Sequence, residues 1–290
     1  MSSRKVQAEQ SASLLELVMK AMGYTSNTKG RNLIKGGFVK VNGKLVRIPG
    51  QPVEEGDFLS IEEYDRSRVR VQQHPFPFEV LADTKEYVAF IKPAGMPMLD
   101  DRGKGKSVQR ILRAYLERLG SEEDLFVVNK LDPPCSGIAV ACKDVRQRAE
   151  FEERLFEARH RWYALVQGRV QPVDGTWAMH LRRNKDGVLI PIPSGNDAKE
   201  AILKYRTLNG NGQFALLKVD PETSLRHQER AVCAAERHPI VGDRRYHAKE
   251  DPLKRLGLHL FSLEFTTPKG QPVTLKTPVP RVFLTCVKGR

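Results

Sequence analysis

A single aspartate in a proline-rich loop is the residue of this sequence best suited to chemistry. Asp132 lies in the segment Asn-Lys-Leu-Asp-Pro-Pro-Cys-Ser-Gly at 129–137, between apolar segments at 125–128 and 138–142. An aspartate beside the cation of Lys130 stays ionised and can act as a nucleophile or a base without a cofactor. An aspartate before proline is also a common turn former, so the loop alone leaves both interpretations open.

The motifs of several other enzyme classes do not occur in the sequence. There is no glycine-rich phosphate loop, no Gly-x-Ser-x-Gly elbow and no His-Glu-x-x-His motif. His227, Cys233 and His238 lie close together in the sequence, but their spacing fits no metal site, and we interpret the histidines as structural. Nucleotide hydrolysis, esterase chemistry and zinc-dependent proteolysis therefore lack their characteristic residues.

The net charge indicates a polyanionic partner. The 290 residues include 48 Lys and Arg against 35 Asp and Glu, which gives a formal charge of +13. This exceeds what solubility requires, and it favours nucleic acid or an anionic membrane surface as a partner. A solvated basic surface without a partner is the alternative.

Composition also limits where the chain works. No segment approaches the roughly 18 consecutive apolar residues of a membrane-spanning helix, and residues 1–13 lack the apolar centre of a secretory signal. The four cysteines form no Cys-x-x-Cys pair, so neither a disulfide framework nor a structural zinc site is indicated. We expect one or two domains, reduced thiols, no membrane association and a cytoplasmic location, with a short mitochondrial presequence as the alternative.

Positive charge is concentrated near the N-terminus, in a segment that is predicted to fold. No acidic residue occurs between Glu16 and Glu54. Helical and alternating apolar patterns predict helices over 13–22 and from 26 or 27 to 34, a hairpin over 38–48 that turns at Asn42-Gly43, and a strand over 53–61.

A basic, proline-containing segment at 65–77 predicts a linker between two domains. After it, strand and helix patterns alternate. The predicted strands cover 78–81, 87–92, 125–128, 138–142 and 161–166, and the predicted helices cover 107–119 and 144–158. We therefore predict an α+β chain, with a small N-terminal domain followed by a mixed, mainly antiparallel sheet and flanking helices.

The N-terminal part resembles a known RNA-binding domain. Its segment Arg-Asn-Leu-Ile-Lys-Gly-Gly-Phe-Val-Lys-Val-Asn-Gly-Lys at 31–44 is similar to the αL domain of a ribosomal protein and of many RNA-modifying enzymes. The resemblance covers about residues 12–64. It implies phosphate contacts that position RNA without reading bases, made by Lys29, Arg31, Lys35, Lys40 and Lys44. A solvated helix face is the alternative.

Residues about 78–285, within a predicted catalytic domain at 78–290, resemble the RluA-type pseudouridine synthases, which isomerise uridine in RNA to its C-glycoside. The loop around Asp132 is similar to the family's His-Arg-Leu-Asp followed, after two residues, by Thr-Ser-Gly. Four more motifs occur in family order: Ile-Lys-Pro-Ala-Gly at 91–95, Tyr-Ala-Leu-Val-Gln-Gly at 163–168, His-Pro-Ile-Val-Gly-Asp at 238–243 and Arg-Leu-Gly-Leu-His at 255–259.

This resemblance implies a site and a mechanism without a metal, a nucleotide or any other cofactor. RNA would bind across the basic surface and the target uridine would leave its stack. Asp132 would then attack the sugar or the base, or remove a sugar proton. The family implies that Tyr163 stacks on the uracil, that Arg230 pairs with Asp132, and that Lys130 keeps the charge of the family's arginine. The expected substrate is ribosomal RNA, with transfer RNA as the alternative, and we expect a monomer.

Five positions depart from the family pattern: Asn129, Lys130, Cys135, Leu225 and Glu229. Lys130 lacks the planar fork of arginine, and the extra negative charge of Glu229 is expected to weaken phosphate binding or to raise the pKa of Asp132.

Two hypotheses about function follow. We favour an active RNA pseudouridine synthase, because Asp132 and Tyr163 are both present. The alternative is an inactive RNA-binding protein of the same fold that acts in ribosome assembly.

Overall fold

The computed structural model describes residues 3–35, 37–62, 76–99, 105–121, 123–195 and 197–288. These residues belong to two compact units, one within residues 1–75 and 116–122 and the other within residues 76–115 and 123–290. Most of the predicted linker at 65–77 lies outside the described residues. No helix in the described ranges is long and apolar enough to cross a membrane.

Secondary structure in the N-terminal part consists of short elements. In chain order they are β1 (Ser3–Gln7), β2 (Ala12–Ser13), α1 (Leu14–Met22), α2 (Asn27–Lys35), β3 (Val39–Val41), β4 (Lys44–Leu45), β5 (Pro52–Val53) and β6 (Phe58–Glu62). Strands β1, β6, β3 and β4 form one antiparallel sheet in that order, and β2 pairs with β5.

Helix α1 begins where the sequence predicts. The backbone N–H of Glu16 donates to the Ser13 hydroxyl (3.3 Å), and the backbone N–H of Ser13 donates to the Glu16 carboxylate (3.1 Å). This reciprocal pair is a capping box, which satisfies backbone donors that a helix start leaves without partners. The helix ends at Gly23, whose φ of 65° suits a left-handed cap.

Helix α2 packs closely on α1 because Gly30 has no side chain. A Cβ at this position would lie 2.8 Å from the Leu15 Cδ1 and 2.9 Å from the Met19 Sδ. Leu33 and Ile34 are buried beside it, so the apolar face of α2 joins the core of this unit. The second predicted helix is confirmed, with its start at Asn27.

The predicted hairpin is also present. Asn42 and Gly43 have φ values of 50° and 78°, as a two-residue turn between antiparallel strands requires. The single strand predicted over 53–61 is wrong, because the structure divides it into β5 and β6. The chain turns between them at Gly56, whose φ is 92°.

The remaining elements start at residue 80. The strands are β7 (Val80–Asp83), β8 (Tyr87–Lys92), β9 (Phe126–Val127), β10 (Ser136–Cys142), β11 (Arg159–Gln167), β12 (Asp174–Arg183), β13 (Leu189–Pro191), β14 (Lys199–Gly210), β15 (Phe214–Pro221), β16 (Leu258–Thr266) and β17 (Pro272–Lys276). The helices are α3 (Val108–Leu119), α4 (Arg148–Phe156), α5 (Gln228–Ala235) and α6 (Arg281–Val287), with short 3-10 turns at Val145–Gln147 and Arg244–Tyr246.

These eleven strands form one mixed sheet among the described residues. Its order is β13-β12-β14-β15-β11-β16-β10-β8-β7, with β17 paired to β16 and β9 paired to β10. Every pairing in it is antiparallel except that of β10 with β16. The prediction of a mixed, mainly antiparallel sheet with flanking helices is therefore confirmed.

The parallel pairing brings the Asp132 loop close to the strand that begins at Leu258. Gly137, at the end of the loop, has a φ of 130°, and a Cβ there would lie 2.4 Å from the backbone oxygen of Leu260. Only glycine fits such a close approach between two backbones. The loop is thereby fixed against the centre of the sheet.

Candidate active site

A buried lysine holds the loop that carries Asp132 in place. Lys92, at the end of β8, is fully buried, and its ammonium donates to the backbone oxygens of Pro93 (3.0 Å), Pro133 (3.1 Å) and Cys135 (2.6 Å). Burial lowers the pKa of Lys92 to about 8. One side chain therefore fixes the two proline-containing turns relative to each other.

Asn129 fixes the start of the same loop. Its amide group donates to the backbone oxygen of Ile138 (3.0 Å), and its side-chain oxygen accepts from the N–H of Val140 (2.9 Å). Although Asn129 departs from the family's histidine, it ties the loop to β10 by two hydrogen bonds. The backbone N–H of Cys135 also donates to the Asp132 carbonyl (3.0 Å), which closes the turn after the aspartate.

A second buried network holds the far end of the loop. The Ser136 hydroxyl receives a hydrogen bond from Arg255 (2.6 Å) and lies 2.8 Å from the Nδ1 of His259. The Nε2 of His259 lies 2.8 Å from the Thr277 hydroxyl. Burial, with a further effect of Arg255, lowers the pKa of His259 to about 4, so this histidine is neutral near pH 7.

Three side chains of one segment face the carboxylate of Asp132. The Nε2 of His227 lies 2.9 Å from its Oδ2, the Nη1 of Arg230 lies 3.4 Å from the same oxygen, and the Nε of Arg226 lies 3.7 Å from its Oδ1. Arg226 and His227 lie immediately before α5, and Arg230 lies in its first turn.

This arrangement keeps Asp132 ionised. Burial acts to raise the pKa of Asp132, but the hydrogen bond from His227 and the positive charges of Arg230 and Arg226 outweigh it. The pKa of Asp132 therefore lies below the usual value for an aspartate. A desolvated carboxylate that remains an anion is suited to act as a nucleophile or a base.

Arg230 is itself fixed by a second carboxylate. Its Nε and Nη2 donate to the two oxygens of Asp243, both at 2.7 Å, and its guanidinium lies 5.2 Å from the centre of the Tyr246 ring. Burial disfavours the charge of Arg230, but the paired carboxylate outweighs this and raises the pKa of Arg230. A bidentate pair of this kind sets the orientation of the guanidinium as well as its charge.

Tyr163 and Lys130, both named from the sequence, lie in different surroundings. Tyr163 is half-buried on β11, paired across the ladder with His259, and its ring stacks on Phe261 at 3.9 Å between centroids. Burial raises the pKa of Tyr163, so its hydroxyl stays protonated near pH 7. Lys130 is exposed, and none of the ion pairs that the described residues make with Asp132 involves it.

His227 is the site residue that the sequence interpretation missed. We interpreted it as structural, but its ring is buried against Asp132, and its Nδ1 has no hydrogen-bond partner among the described residues. It has a left-handed backbone (φ 72°) at the start of α5. The sequence did offer an indication that His227 belongs to the site, because it lies three residues before Arg230 in the same motif.

Glu229 does not perturb Asp132 as expected. The prediction that it raises the pKa of Asp132 is wrong, since that pKa is lowered. The group whose pKa is raised is Glu229 itself. Burial, with a smaller effect of the Asp132 charge, raises the pKa of Glu229 to about 7. The side chain is buried at the start of α5, and it is about half ionised at neutral pH.

The basic residues predicted to contact RNA all lie in the N-terminal unit. Lys29, Arg31 and Lys35 are exposed on α2, Lys44 is exposed at the hairpin turn, and Lys40 is half-buried on β3. Arg31 and Lys35 are four residues apart and therefore share one helix face. None of the three α2 side chains forms an ion pair with a carboxylate in the described ranges.

Two family models match the chain in the order that the motifs indicated. A model described as an S4 domain matches residues 15–59, and one described as RNA pseudouridylate synthase matches residues 86–235.

Whole-chain relatives agree with these matches. The ribosomal large subunit pseudouridine synthase D of Xylella fastidiosa is 29% identical over 85% of this chain and 79% of its own length. The protein of the same name from Borreliella burgdorferi is 24% identical over 89% of this chain and 83% of its own length. Among solved structures, human RNA pseudouridylate synthase domain containing 1 covers 73% of this chain and 88% of its own chain, at a TM-score of 0.61 and 21% identity. That structure shares the fold.

Because the second model covers half of the sequence, the chain belongs to the RNA pseudouridylate synthase family, with an S4 domain before the synthase domain. It is accordingly an RNA pseudouridine synthase, an isomerase that acts on uridine in RNA.

Proposed function

We propose that this enzyme converts a uridine of ribosomal RNA to pseudouridine with Asp132 as its catalytic residue. The observation that carries the proposal is the environment of Asp132, a carboxylate only 15% exposed and faced by His227, Arg226 and Arg230. The choice of ribosomal RNA is supported by the names of the Xylella and Borreliella relatives.

The proposed reaction is an internal rearrangement of one nucleotide. The bond between uracil N1 and ribose C1′ breaks, the uracil turns within the site, and a bond forms between C5 and C1′. The proton on C5 is lost and N1 gains one, so the product is an isomer of the substrate. Asp132 acts as an anion, either by attacking the nucleotide or by removing a sugar proton, and both routes require the ionised carboxylate.

The other site residues support Asp132 in different ways. We propose that Tyr163, which is half-buried on β11, stacks on the uracil after the nucleotide has left the RNA stack. Leaving the stack costs a few kcal/mol. Arg230 and His227 are positioning residues, because they act through the carboxylate. Lys130, exposed two residues before Asp132, supplies a positive charge where the RNA backbone passes.

The N-terminal unit is proposed to hold the RNA. Residues 12–64 form the RNA-binding domain, residues 65–77 form the linker and residues 78–290 form the catalytic domain. Lys29, Arg31, Lys35, Lys40 and Lys44 contact phosphates, which is supported by the exposure of most of these side chains and by the S4 match. We propose a monomer that works in the cytoplasm, where bacterial ribosomes are assembled.

Pseudouridine mapping of total RNA tests the proposal. Cells that lack the gene should lose pseudouridine at one or a few positions of large-subunit ribosomal RNA. Wild-type protein should restore these positions, whereas the Asp132→Asn variant, which keeps the shape of the side chain, should not. Lys276→Gln, an exposed change on β17, is the matched control and should restore them fully.

Two results would contradict the proposal. An unchanged map after gene deletion would favour the inactive RNA-binding protein, and restoration of the lost pseudouridines by the Asp132→Asn variant would exclude Asp132 as the catalytic residue. Loss of positions in transfer RNA alone would overturn the choice of ribosomal RNA but leave Asp132 as the catalytic residue.

A further inference from the structure

A basic cleft opens beside the Asp132 site. It has a volume of about 440 Å³ and lies between the end of β12, the start of β14 and residues 224–226. Its charged lining consists of Arg182, Arg183, Lys199, Arg226 and Asp197. The lining thus carries four cations and one carboxylate, and the cleft has the size of a small-molecule site.

Three of the four cations of the cleft are available to a ligand. Arg182 and Lys199 are exposed, and neither forms an ion pair with any carboxylate that the structure describes. Arg183 donates to the backbone oxygen of Gly187 at 2.7 Å, which orients its guanidinium without neutralising its charge. Asp197 is exposed at the rim and offsets only part of this charge.

One side chain connects the cleft to the reacting carboxylate. Arg226 lines the cleft, and its Nε lies 3.7 Å from the Asp132 Oδ1. Leu225, before it, contributes an apolar wall where the family has its first arginine of the motif. The positive charge missing from position 225 is therefore present around it, on Arg226 and on the ends of β12 and β14.

We propose that this cleft binds phosphates of the RNA strand immediately next to the target nucleotide. The proposal rests on the proposed function, since it takes the target nucleotide to lie at Asp132. Guanidinium groups bind phosphate through paired hydrogen bonds, and such contacts fix the register of the strand without reading its bases. A strand in the cleft places one nucleotide against Asp132.

Binding of unmodified large-subunit ribosomal RNA, transcribed in vitro, tests the cleft without any need for turnover. The double variant Arg182→Gln/Lys199→Gln should bind the RNA about tenfold more weakly. The plot of log affinity against log salt concentration should also become less steep, with the magnitude of its slope smaller by about 1.4, or about 0.7 for each lost contact with a single strand. Asp197→Asn should change affinity in the opposite direction, because it removes the negative charge of the cleft.

The control is Lys276→Gln, whose side chain is exposed on β17, beyond β14, β15, β11 and β16 in the sheet. Its affinity and salt slope should match those of the wild type. The proposal is overturned if the double variant keeps the wild-type salt slope, or if Asp197→Asn weakens binding. It is also overturned if Lys276→Gln reduces the magnitude of the slope as much as the double variant does. Thermal unfolding of each variant verifies that the exposed substitutions leave the fold intact.

A second measurement locates the contact along the RNA. A neutral methylphosphonate linkage beside the mapped uridine should weaken wild-type binding, but it should have little further effect on the double variant. Equal weakening of both proteins would place the cleft contact elsewhere and overturn the proposal. Absence of any mapped uridine would refute the proposed function, whereas the salt slopes would still show whether the cleft binds RNA.

Discussion

The two units of the chain hold positive charge in opposite surroundings. In the second unit, Arg230 is 6% exposed and is paired with Asp243, which is 1% exposed. In the first unit, the lysines and arginine of α2 are exposed, within a segment that has no acidic residue between Glu16 and Glu54. Buried, paired charge fixes geometry and pKa, whereas exposed charge gives affinity that salt can screen.

This difference separates two kinds of effect. Substitutions around Asp132 should change the chemical step, its pH dependence or the stability of the fold. Substitutions on α2 should change RNA affinity and its salt dependence while the rate at saturation stays the same. Variants at Arg230, Glu229 and His227 and on α2 test this division.

Arg230→Gln should have the largest effect. It leaves the buried carboxylate of Asp243 unpaired, so the free energy of unfolding should fall by about 3–5 kcal/mol in chemical denaturation. Pseudouridine formation should also be lost, since Asp132 loses a positive neighbour. The double variant Arg230→Gln/Asp243→Asn should regain much of the stability but not the activity. Recovery of both would show that Arg230 has only a structural role.

Glu229→Gln should stabilise the protein in a pH-dependent way. In the folded protein the pKa of Glu229 is raised to about 7, so above that pH the fold must hold a buried carboxylate. Ionisation of Glu229 lowers the free energy of unfolding as the pH rises from the ordinary glutamate pKa towards 7. The loss reaches about 3 kcal/mol at pH 8. Thermal unfolding should therefore show a gain for the variant at pH 8 and almost none at pH 4. An equal gain at both pH values would contradict this environment for Glu229.

His227→Ala should move the pH profile of the reaction. The variant removes the hydrogen bond from His227 that helps to lower the pKa of Asp132, so that pKa should rise. The rate should then fall on the acidic side at a higher pH than in the wild type. Single-turnover rates between pH 4 and 8 measure this shift. A lower rate with an unchanged profile would mean that His227 supports only the packing of the site.

Neutralising the α2 surface should have the mildest effect. The triple variant Lys29→Gln/Arg31→Gln/Lys35→Gln should lower RNA affinity and reduce the salt slope by about 2–3, while the rate at saturating RNA is unchanged. Lys20→Gln on α1 is the matched control, because Lys20 is already paired with Glu9 at 2.8 Å. A fall in the saturating rate of the triple variant would break the division between the two units.

Local elements were the part of the fold that the sequence predicted well. The capping box at Ser13, the turn at Asn42-Gly43 and the helix that begins at Val108 depend on neighbouring residues, so their patterns are visible in the chain. The split between β5 and β6 was missed because one apolar run matched a strand. The pairing of β1 with β6 joins the two ends of the N-terminal unit and leaves no local signal.

The site shows the same limit. Asp132 could be singled out from its loop together with the family resemblance, but its partners come from a segment about a hundred positions away, as for Arg230 at a separation of 98. Proximity in the sequence favoured Lys130 as the neighbouring cation, and the family resemblance implied Arg230. The structure places Arg230 near the carboxylate, together with His227 and Arg226, but not Lys130. Contacts made by the sheet between distant segments cannot be predicted from spacing alone.

Asp132 is proposed as the ionised group that performs the reaction. A single-turnover assay with purified protein and unmodified ribosomal RNA measures this directly, with RNA binding recorded in the same samples. The Asp132→Asn variant should bind the RNA within about threefold of wild type and form pseudouridine at least about a thousandfold more slowly. Pseudouridine formed by this variant at a rate close to that of the wild type would contradict the account.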